Sequence, residues 1–176
     1  MSVIQLPHKI AVLCYLYDDA GRVLLLHRTQ QPNAGMYSPI GGKLHVAEGE
    51  SPHDCALREM REEIGVSFSH DEIHLAGIVS EQAYEHETHW LMFLYEVTRP
   101  VKPGELAWTE FREGTLEWID PEAVSDLPIP ETDRAVMWPL VCAHRGGFFM
   151  VHIDCREQPI RSQVMESRPA GASTPT

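Results

Sequence analysis

The stretch that decides the fold is residues 42–66, which read GKLHVAEGESPHDCALREMREEIGV. Within it, Ser51 and Pro52 form a typical helix start, because a serine side chain caps free backbone amides and proline suits the first helical position. Gly65 is a typical helix stop, since glycine readily takes the left-handed conformation that ends many helices. The pattern therefore predicts one helix between Ser51 and Gly65.

The predicted helix has two chemically different faces. At 100° per residue, one narrow arc is apolar and should pack against the core: Leu57, Met60 and Ile64. A nearly opposite arc carries three carboxylates: Glu59, Glu62 and Glu63. These carboxylates repel one another on an isolated helix, and a magnesium ion would offset the repulsion because it prefers oxygen ligands. A solvated acidic surface is the alternative interpretation.

The same stretch resembles the Nudix box, whose usual form is Gly, five residues, Glu, seven residues, Arg-Glu, an aliphatic, any residue, Glu-Glu, any residue, Gly, aliphatic. The part from Glu50 to Val66 has every required spacing. The first part departs from the pattern, because seven residues separate Gly42 from Glu50. This two-residue insertion precedes the helix cap, so it should change the loop and leave the spacing of the glutamates untouched.

The resemblance implies a set of site residues. Magnesium or manganese would be held by three carboxylates and a candidate backbone carbonyl: Glu59, Glu62, Glu63, and Gly41 or Gly42. Glu50 and Arg58 would take a supporting role, in which their salt bridge holds the loop against the helix and aims the ligands. Nudix hydrolases cleave a nucleoside diphosphate linked to another group by water attack on phosphorus, and the cations neutralise the phosphates.

A general base must also deprotonate or orient the water, and in this family it is a helix glutamate or an acidic residue of a later loop. Glu113, directly before a short predicted strand, is the candidate from a later loop, and Glu85 and Glu87 are weaker ones. If Glu113 is not the base, Glu62 or Glu59 is expected to be. The family pattern alone does not choose between them.

Five further residues are candidates for substrate contacts, although a surface or core position is an equally good interpretation of each. Arg28 and Lys43 could bind a phosphate group. Tyr37, Tyr84 and Trp90 flank the expected site and could stack on a nucleobase, since aromatic faces accept any base.

The order of predicted elements matches the fold that the resemblance implies, an α/β (α+β) fold built as an α/β/α sandwich with a mixed β-sheet. We expect one Nudix hydrolase domain over residues 1–165, with its core at about 9–143, and a disordered tail over 166–176. We expect a hairpin of two strands, the first over 9–17 and the second ending at 26, followed by a loop over 29–42. Further strands are expected over 73–84, 90–97 and 115–119. A helix over 131–144, broken by Pro139, and an extra strand within 147–155 complete the expected elements.

Charge narrows the choice of partners. The chain has 14 Lys and Arg against 26 Asp and Glu, a formal net charge of -12. Because such a surface repels a nucleic-acid backbone, we expect no extended nucleic acid as a partner. The resemblance implies a small nucleotide-type substrate instead. An anionic substrate would need a local cation held by carboxylates.

Other features indicate a cytoplasmic protein. The longest apolar runs, 10–17 and 23–26, are far shorter than the roughly 20 residues that a membrane-spanning helix needs, and residues 1–9 lack a secretory signal. The four cysteines contain no Cys-x-x-Cys pair and are expected to be reduced thiols: Cys14, Cys55, Cys142 and Cys155. A homodimer is conceivable, because an extra strand near the C-terminus would extend the sheet or contact a second subunit.

The leading hypothesis is therefore a magnesium-dependent Nudix pyrophosphohydrolase. Its substrate would be a nucleoside triphosphate, a nucleotide sugar, ADP-ribose or a dinucleoside polyphosphate. The alternative is a Nudix-fold sensor that binds a nucleotide with little hydrolysis, and the lengthened box loop favours it. The complete set of box carboxylates favours the enzyme.

Overall fold

The computed structural model describes residues 5–31 and 33–171. Its strands and α-helices in chain order are β1 (His8–Tyr15), β2 (Val23–Arg28), β3 (Tyr37–Ser38), α1 (Pro52–Ile64), β4 (Ile73–Tyr84), β5 (Thr88–Val97), β6 (Glu110–Phe111), β7 (Gly114–Ile119), α2 (Trp138–Ala143), β8 (Phe148–Asp154) and β9 (Arg161–Arg168). Short 3-10 turns lie at Val46–Glu48, His70–Glu72, Pro103–Glu105 and Pro121–Asp126, and a π-helical segment, Asp133–Met137, leads directly into α2.

The strands form two sheets. The larger has the order β1-β5-β4-β8-β9 and is mixed, because β1 is parallel to β5 and β4 is parallel to β8, whereas the other pairs are antiparallel. The smaller is antiparallel and has the order β3-β2-β7-β6. The other side of β1 is taken by residues 40–43, where the carbonyls of Ile40 and Gly42 accept hydrogen bonds from Cys14 and Val12. This segment connects the two sheets.

The two helices cover opposite faces of the larger sheet. Val12 and Cys14 of β1 belong to the same buried cluster as Met60 of α1, whereas Ala11 belongs to the cluster that contains Val141 of α2. Because neighbouring residues of a strand point to opposite faces, α1 and α2 lie on opposite sides of β1. This arrangement confirms the predicted α/β/α sandwich with a mixed sheet.

Helix α1 begins and ends where the sequence predicts. The Ser51 side chain accepts a hydrogen bond from the Asp54 amide, and Gly65 ends the helix with a φ of 72°. Met60 and Ile64 are fully buried, as the apolar arc requires. The cap and the stop are local signals, and this is why they could be recognised without knowledge of the rest of the fold.

The predicted hairpin of the first two apolar runs exists only beside its turn, where the Asp18 amide donates to the Arg22 carbonyl and the Leu24 amide to the Leu16 carbonyl. The two strands meet beside their turn at Tyr17 and Val23, then diverge. Strand β1 pairs with β5, and β2 pairs with β3 and β7. Both runs are apolar throughout, so their pattern indicates burial on both faces but does not specify which strand lies beside them.

The C-terminal part differs from expectation in two ways. Residues 166–168, assigned to a disordered tail, belong to β9, which pairs antiparallel with β8. The remainder of the expected tail over 172–176 lies outside the described residues. The expected helix extends over 131–143, but residues 133–137 of it are π-helical, and Pro139 lies just after this distortion within the continuous helical stretch.

The cysteines and the helices match their predicted character. All four cysteines fall within the described residues and are free thiols. No helix in residues 5–31 and 33–171 is both long enough and apolar enough to cross a membrane.

The larger sheet contains two buried glutamates, Glu81 in β4 and Glu96 in β5. Glu81 in β4 is only 5% exposed, and Thr132 lies beside it. Burial raises the pKa of Glu81 from 4.5 to about 7, because the charged form is poorly solvated there. The folded state therefore holds a proton on Glu81 over a pH range in which the unfolded chain has lost it.

We predict that the Glu81 carboxyl makes stability fall as the pH rises through this range. Its folded-state pKa lies above its unfolded value, so its contribution is complete below pH 4.5 and lost as the pH rises to about 7. Glu81→Gln removes this titration, so the free energy of unfolding of the variant should fall less over that window, by about 3 kcal/mol. Urea unfolding followed by tryptophan fluorescence from pH 4.5 to 8 measures the difference. Parallel curves for wild type and variant would contradict the prediction, and the exposed Glu122→Gln serves as control.

A second prediction concerns the end of α1. Gly65 has a φ of +72°, and a Cβ there would overlap the Cβ of Ala107. Gly65→Ala should therefore destabilise the protein by about 2 kcal/mol or more, since both the backbone conformation and the contact oppose a side chain. Gly104→Ala is the matched control, because nothing lies within 4 Å of its added Cβ. The two variants are compared by urea midpoint, and equal losses would mean that Gly65 has no special role.

Candidate active site

Two glycines bring the loop before α1 against both the sheet and the helix. Gly41 has a φ of +144°, and a Cβ there would overlap the carbonyl oxygen of Val12. At Gly42, a Cβ would overlap the carboxylate of Glu59. Any side chain at these positions would push the loop away, so the contact between the Glu59 carboxylate and the loop backbone requires glycine.

Glu63 is held beneath the same loop. Its Oε2 accepts a hydrogen bond of 2.8 Å from the Gly41 amide, and the residue is 5% exposed. Burial raises its pKa to about 8, with further increases from the carboxylates of Glu59 and Glu113 and a decrease from the Gly41 hydrogen bond. The pKa of Glu59 is raised as well, first by burial. The carboxylates at this end of the molecule therefore lie close enough to repel one another.

Arg58 is the cation at the centre of the box. Its Nε and Nη2 donate to the two oxygens of Glu50 at 2.7 and 3.0 Å, and this fork lowers the pKa of Glu50 to about 2. Its Nη1 donates to Glu59 at 2.6 Å and to Glu62 at 3.2 Å. Nη2 also donates to the Lys43 carbonyl at 3.2 Å. The two residues to which the resemblance gives a supporting role thus form an ion pair that also joins the loop to the helix.

Glu113 reaches the box from the smaller sheet. The antiparallel pairing of β2 with β7 sets Arg28 opposite Gly114, and this places Arg28 beside Glu113. Arg28 Nη2 donates to Glu113 Oε2 at 3.3 Å, and the Thr29 amide donates to the Glu113 carbonyl at 2.9 Å. Glu113 contributes to the raised pKa values of both Glu59 and Glu63. A residue far from the box in sequence therefore lies beside its carboxylates.

The donor groups suit a hard divalent cation. They are carboxylate oxygens, which magnesium and manganese accept, and a cation would favour the charged forms of Glu59 and Glu63, whose pKa values are raised by burial and, less strongly, by mutual repulsion. Within the described residues, however, no three acidic, histidine or cysteine side chains already surround one point as metal ligands. Glu59 and Glu62 are bonded to Arg58, and Glu63 to Gly41. The Gly42 carbonyl, another candidate ligand, accepts a hydrogen bond from Val12.

A cleft of about 640 Å³ runs from the carboxylates of Glu59 and Glu113 across the larger sheet. At one end it is lined by the box and by the residues that face it: Arg28, Gly41, Gly42, Lys43, Glu59 and Glu113. Across β1, β5 and β4 it is lined by apolar and aromatic side chains and by three polar ones: Ala11, Leu13, Glu81, Tyr84, Trp90, Met92, Thr132, Asp133 and Met137. Such a cleft, apolar with a few convergent polar groups, is the usual form of a ligand site.

The aromatic candidates fall into two groups. Tyr84 and Trp90 line the cleft, and so do the weaker acidic candidates Glu85 and Glu87 at its rim. Tyr37 is engaged elsewhere, because its ring stacks on His27 at 4.4 Å and its hydroxyl donates to Glu117. The expectation that Tyr37 flanks the site is therefore wrong, and the reason is a partner on β7 that sequence spacing does not reveal.

Three polar residues of the cleft were missed by sequence reasoning. Glu81 occupies an inward position of a strand, and a charged residue inside an apolar alternation is a signal that could have identified it. Thr132 and Asp133 lie in a helical segment whose pattern contains nothing unusual. Burial and the nearby Glu81 raise the pKa of Asp133 to about 7. The two carboxyls come together only in the folded chain.

Comparison with known proteins agrees with this geometry. A family model described as NUDIX domain matches residues 7–140. The uncharacterized Nudix hydrolase YvcI of Bacillus subtilis is 29% identical over 127 residues, which cover 70% of this chain and 73% of that protein. Isopentenyl-diphosphate Delta-isomerase of Mycolicibacterium vanbaalenii is 40% identical over 67 residues, which cover 36% of this chain and 35% of the isomerase.

Among solved structures, the MutT protein of Bacillus halodurans has the same fold, with a TM-score of 0.70 at 23% identity over 89% of this chain and 97% of that one. The residues that the family model matches include strands β1 to β7 and the whole of α1, and the match ends within α2. The chain belongs to the Nudix family of hydrolases.

Proposed function

We propose that the protein is a magnesium-dependent pyrophosphohydrolase that cleaves a nucleoside diphosphate linked to another group. The observation that carries this proposal is that Glu59 and Glu113, which come from separate elements, line the same end of a cleft of about 640 Å³. Acidic residues from a helix and from a separate strand end supply both metal ligands and a general base. The apolar remainder of the cleft is suited to the organic part of the substrate.

The residues that would hold the metal are Glu59, Glu62 and Glu63. Magnesium, or manganese, supplies charge neutralisation of the diphosphate and stabilisation of the leaving oxygen. The protein has a net charge of -12, so an anionic substrate needs such a local reversal of sign. Arg28 and Lys43 also line this end of the cleft and are the candidates for direct phosphate contacts.

Glu113 is the general base that we favour. Glu59 and Glu62 are both bonded to Arg58, whereas Glu113 belongs to a different element and faces the cleft. Its side chain is 43% exposed, so water has access to it, and Arg28 fixes one of its oxygens. In this arrangement Glu113 orients and deprotonates the attacking water. Glu62 or Glu59 is the alternative base.

Arg58 is a positioning residue in this scheme. It holds Glu59 and Glu62 on one side and Glu50 on the other, so it sets the distance between the box loop and the helix. Metal ligands that neighbouring residues already hold in place bind the ion more tightly, because their side chains lose less conformational freedom when the ion binds.

The second candidate function is a nucleotide sensor with little hydrolysis. The loop between Gly42 and Glu50, with its 3-10 turn at Val46–Glu48, favours it because that loop is longer than the usual box loop. The similarity to the isomerase does not choose a reaction, since it covers 36% of this chain. Turnover that depends on magnesium separates the enzyme from the sensor.

The proposal is tested by product analysis. Purified protein is incubated, with and without magnesium, with dinucleoside polyphosphates, ADP-ribose, nucleotide sugars, and normal and oxidised nucleoside triphosphates, and the products are separated by chromatography. A metal-dependent product from one of these classes is expected. Binding of a nucleotide without any product would support the sensor instead.

Removing one ligand charge should abolish most of the activity. Glu62→Gln should lower kcat by two orders of magnitude or more, because an amide oxygen is a poor substitute for a carboxylate on a divalent cation. The side chain of Glu62 is 55% exposed, so the fold should be unaffected, which a thermal melt can verify. Near wild-type turnover would exclude Glu62 as a ligand. Glu122→Gln, on an exposed turn, is the control.

Replacement of the proposed base should have a different signature. Glu113→Gln should lower kcat about 10²- to 10⁴-fold, with a small change in KM, because proton transfer and not substrate binding is impaired. The acidic limb of the pH profile of kcat should also change. If Glu113→Gln keeps the wild-type kcat and pH profile, the base is a helix glutamate.

Arg58→Lys should retain the charge but lose the fork to Glu50. We expect metal affinity and kcat to decrease about 10- to 100-fold, the size typical of residues that orient metal ligands. The magnesium concentration for half-maximal activity is the measurement. An unchanged value in a folded variant would show that the ion pair has no positioning role.

A further inference from the structure

Two lysines of the cleft have no carboxylate partner, although the protein is strongly acidic. Among the described residues, eight arginines form an ion pair with an aspartate or a glutamate. Lys9 of β1 and Lys43 of the box loop, here called the lysine pair, both line the cleft, and in the part of the chain that the structure describes neither forms an ion pair. With a net charge of -12 the chain has carboxylates in excess, so two unpaired cations in its cleft indicate an anion from outside the chain.

Backbone pairing sets the two lysines side by side. Lys43 lies opposite Ala11 of β1 in an antiparallel bridge, and the Leu44 amide donates to the Ile10 carbonyl at 3.1 Å. Lys9 is two residues before Ala11, so it shares the face of β1 that lines the cleft and lies diagonally across from Lys43. Diagonal neighbours of this kind are about 7–8 Å apart. The two long side chains can therefore contact one chain of phosphates together.

Trp90 holds the Lys9 ammonium at the cleft. Lys9 lies opposite Trp90 in the parallel pairing of β1 with β5, and its Nζ is 5.3 Å from the centre of the Trp90 ring. An aromatic face attracts an ammonium through the ring quadrupole and offers it no oxygen acceptor. The N–H donors of Lys9 therefore stay available to the oxygens of an anion. The ring positions the cation without neutralising it.

The lysine pair begins beside the box carboxylates. Lys43 directly follows Gly42, where an added Cβ would overlap the carboxylate of Glu59. From there the pair continues along β1 towards His8, the first residue of that strand. A diphosphate bound at the box carboxylates would be next to Lys43, and phosphates beyond the first two would reach Lys9.

We propose that the lysine pair binds phosphate groups of the half of the substrate that leaves, so that the substrate carries a chain of three or more phosphates. The position of the bond that breaks rests on the proposed function, whereas the anion site does not. Nucleoside triphosphates and dinucleoside polyphosphates have such a chain. Nucleotide sugars and ADP-ribose have a neutral sugar in its place, which would leave the Lys9 ammonium without an anion, and this difference in contacts selects between the two classes.

The test uses inorganic tripolyphosphate, because it carries the charge of a phosphate chain without a base or a sugar. Calorimetry on the full chain without metal should detect binding that weakens as salt is added. Lys9→Met keeps a long side chain over Trp90 but removes the charge, and it should weaken binding at least fivefold, as should Lys43→Met. Lys9→Arg should retain the affinity. Lys102→Met makes the same change in net charge beyond the other end of β5 and is the matched control. Thermal melts establish that each variant is folded.

Turnover separates the two substrate classes. Lys9→Met should raise the KM for a nucleoside triphosphate at least tenfold and should change the KM for ADP-ribose less than twofold, because only the triphosphate has a phosphate group at Lys9. An equal rise for both compounds would mean that Lys9 acts on the site as a whole and does not read the phosphate chain.

The outcomes distinguish the lysine pair from the proposed reaction. No binding of tripolyphosphate at millimolar concentration, or equal losses in Lys9→Met and Lys102→Met, would overturn the anion site, and hydrolysis could still be detected. Faster turnover of ADP-ribose or a nucleotide sugar than of every polyphosphate would overturn the substrate class. Binding of tripolyphosphate that needs both lysines, in a protein that hydrolyses no substrate, would support the anion site while refuting the pyrophosphohydrolase.

Discussion

The candidate site depends on one steric constraint, the close approach of the Gly41–Gly42 backbone to β1 on one side and to α1 on the other. The Gly42 carbonyl bonds to Val12 of β1, and the Gly41 amide bonds to Glu63 of α1. A side chain at either glycine would occupy space already filled by backbone or by the Glu59 carboxylate. Because the loop is fixed from both sides, Glu59 lies at the end of the cleft and Glu63 is buried beneath the loop, whereas Glu62 remains exposed.

Charge balance is the second requirement of this arrangement. Acidic side chains from α1 and from the end of β7 lie together in a chain that is already strongly negative. Arg58 balances Glu50, Glu59 and Glu62 from within the helix, and Arg28 does the same for Glu113. The side chains of Arg58 and Arg28 thus balance part of the negative charge at the place where the proposed reaction would use a metal ion.

Local signals explain how much of the molecule could be predicted from its sequence. Helix α1, its cap at Ser51 and its end at Gly65 depend on neighbouring residues, so they could be derived before the fold was known. The box spacing likewise predicted the site role of the helix carboxylates, and Glu113 became a candidate from its position before β7; these roles remain predictions, while Glu59 and Glu113 do line the same end of the cleft. The partners of β1 and β2 could not be derived, because two fully apolar runs specify burial without specifying a neighbour. The encounter of Glu81 with Asp133 depends on how distant elements pack.

Strand β8 has a consequence for where the folding unit ends. The family match stops at residue 140, yet Phe149, Val151 and Ile153 are fully buried and share one cluster with Trp138 of α2. Strand β8 also pairs with the edge of β4 that does not pair with β5. A chain cut at the family boundary would expose these neighbours and the backbone of β4 to water. The packed core therefore extends past the residues that the family model matches, and the hairpin of β8 and β9 completes one edge of the larger sheet.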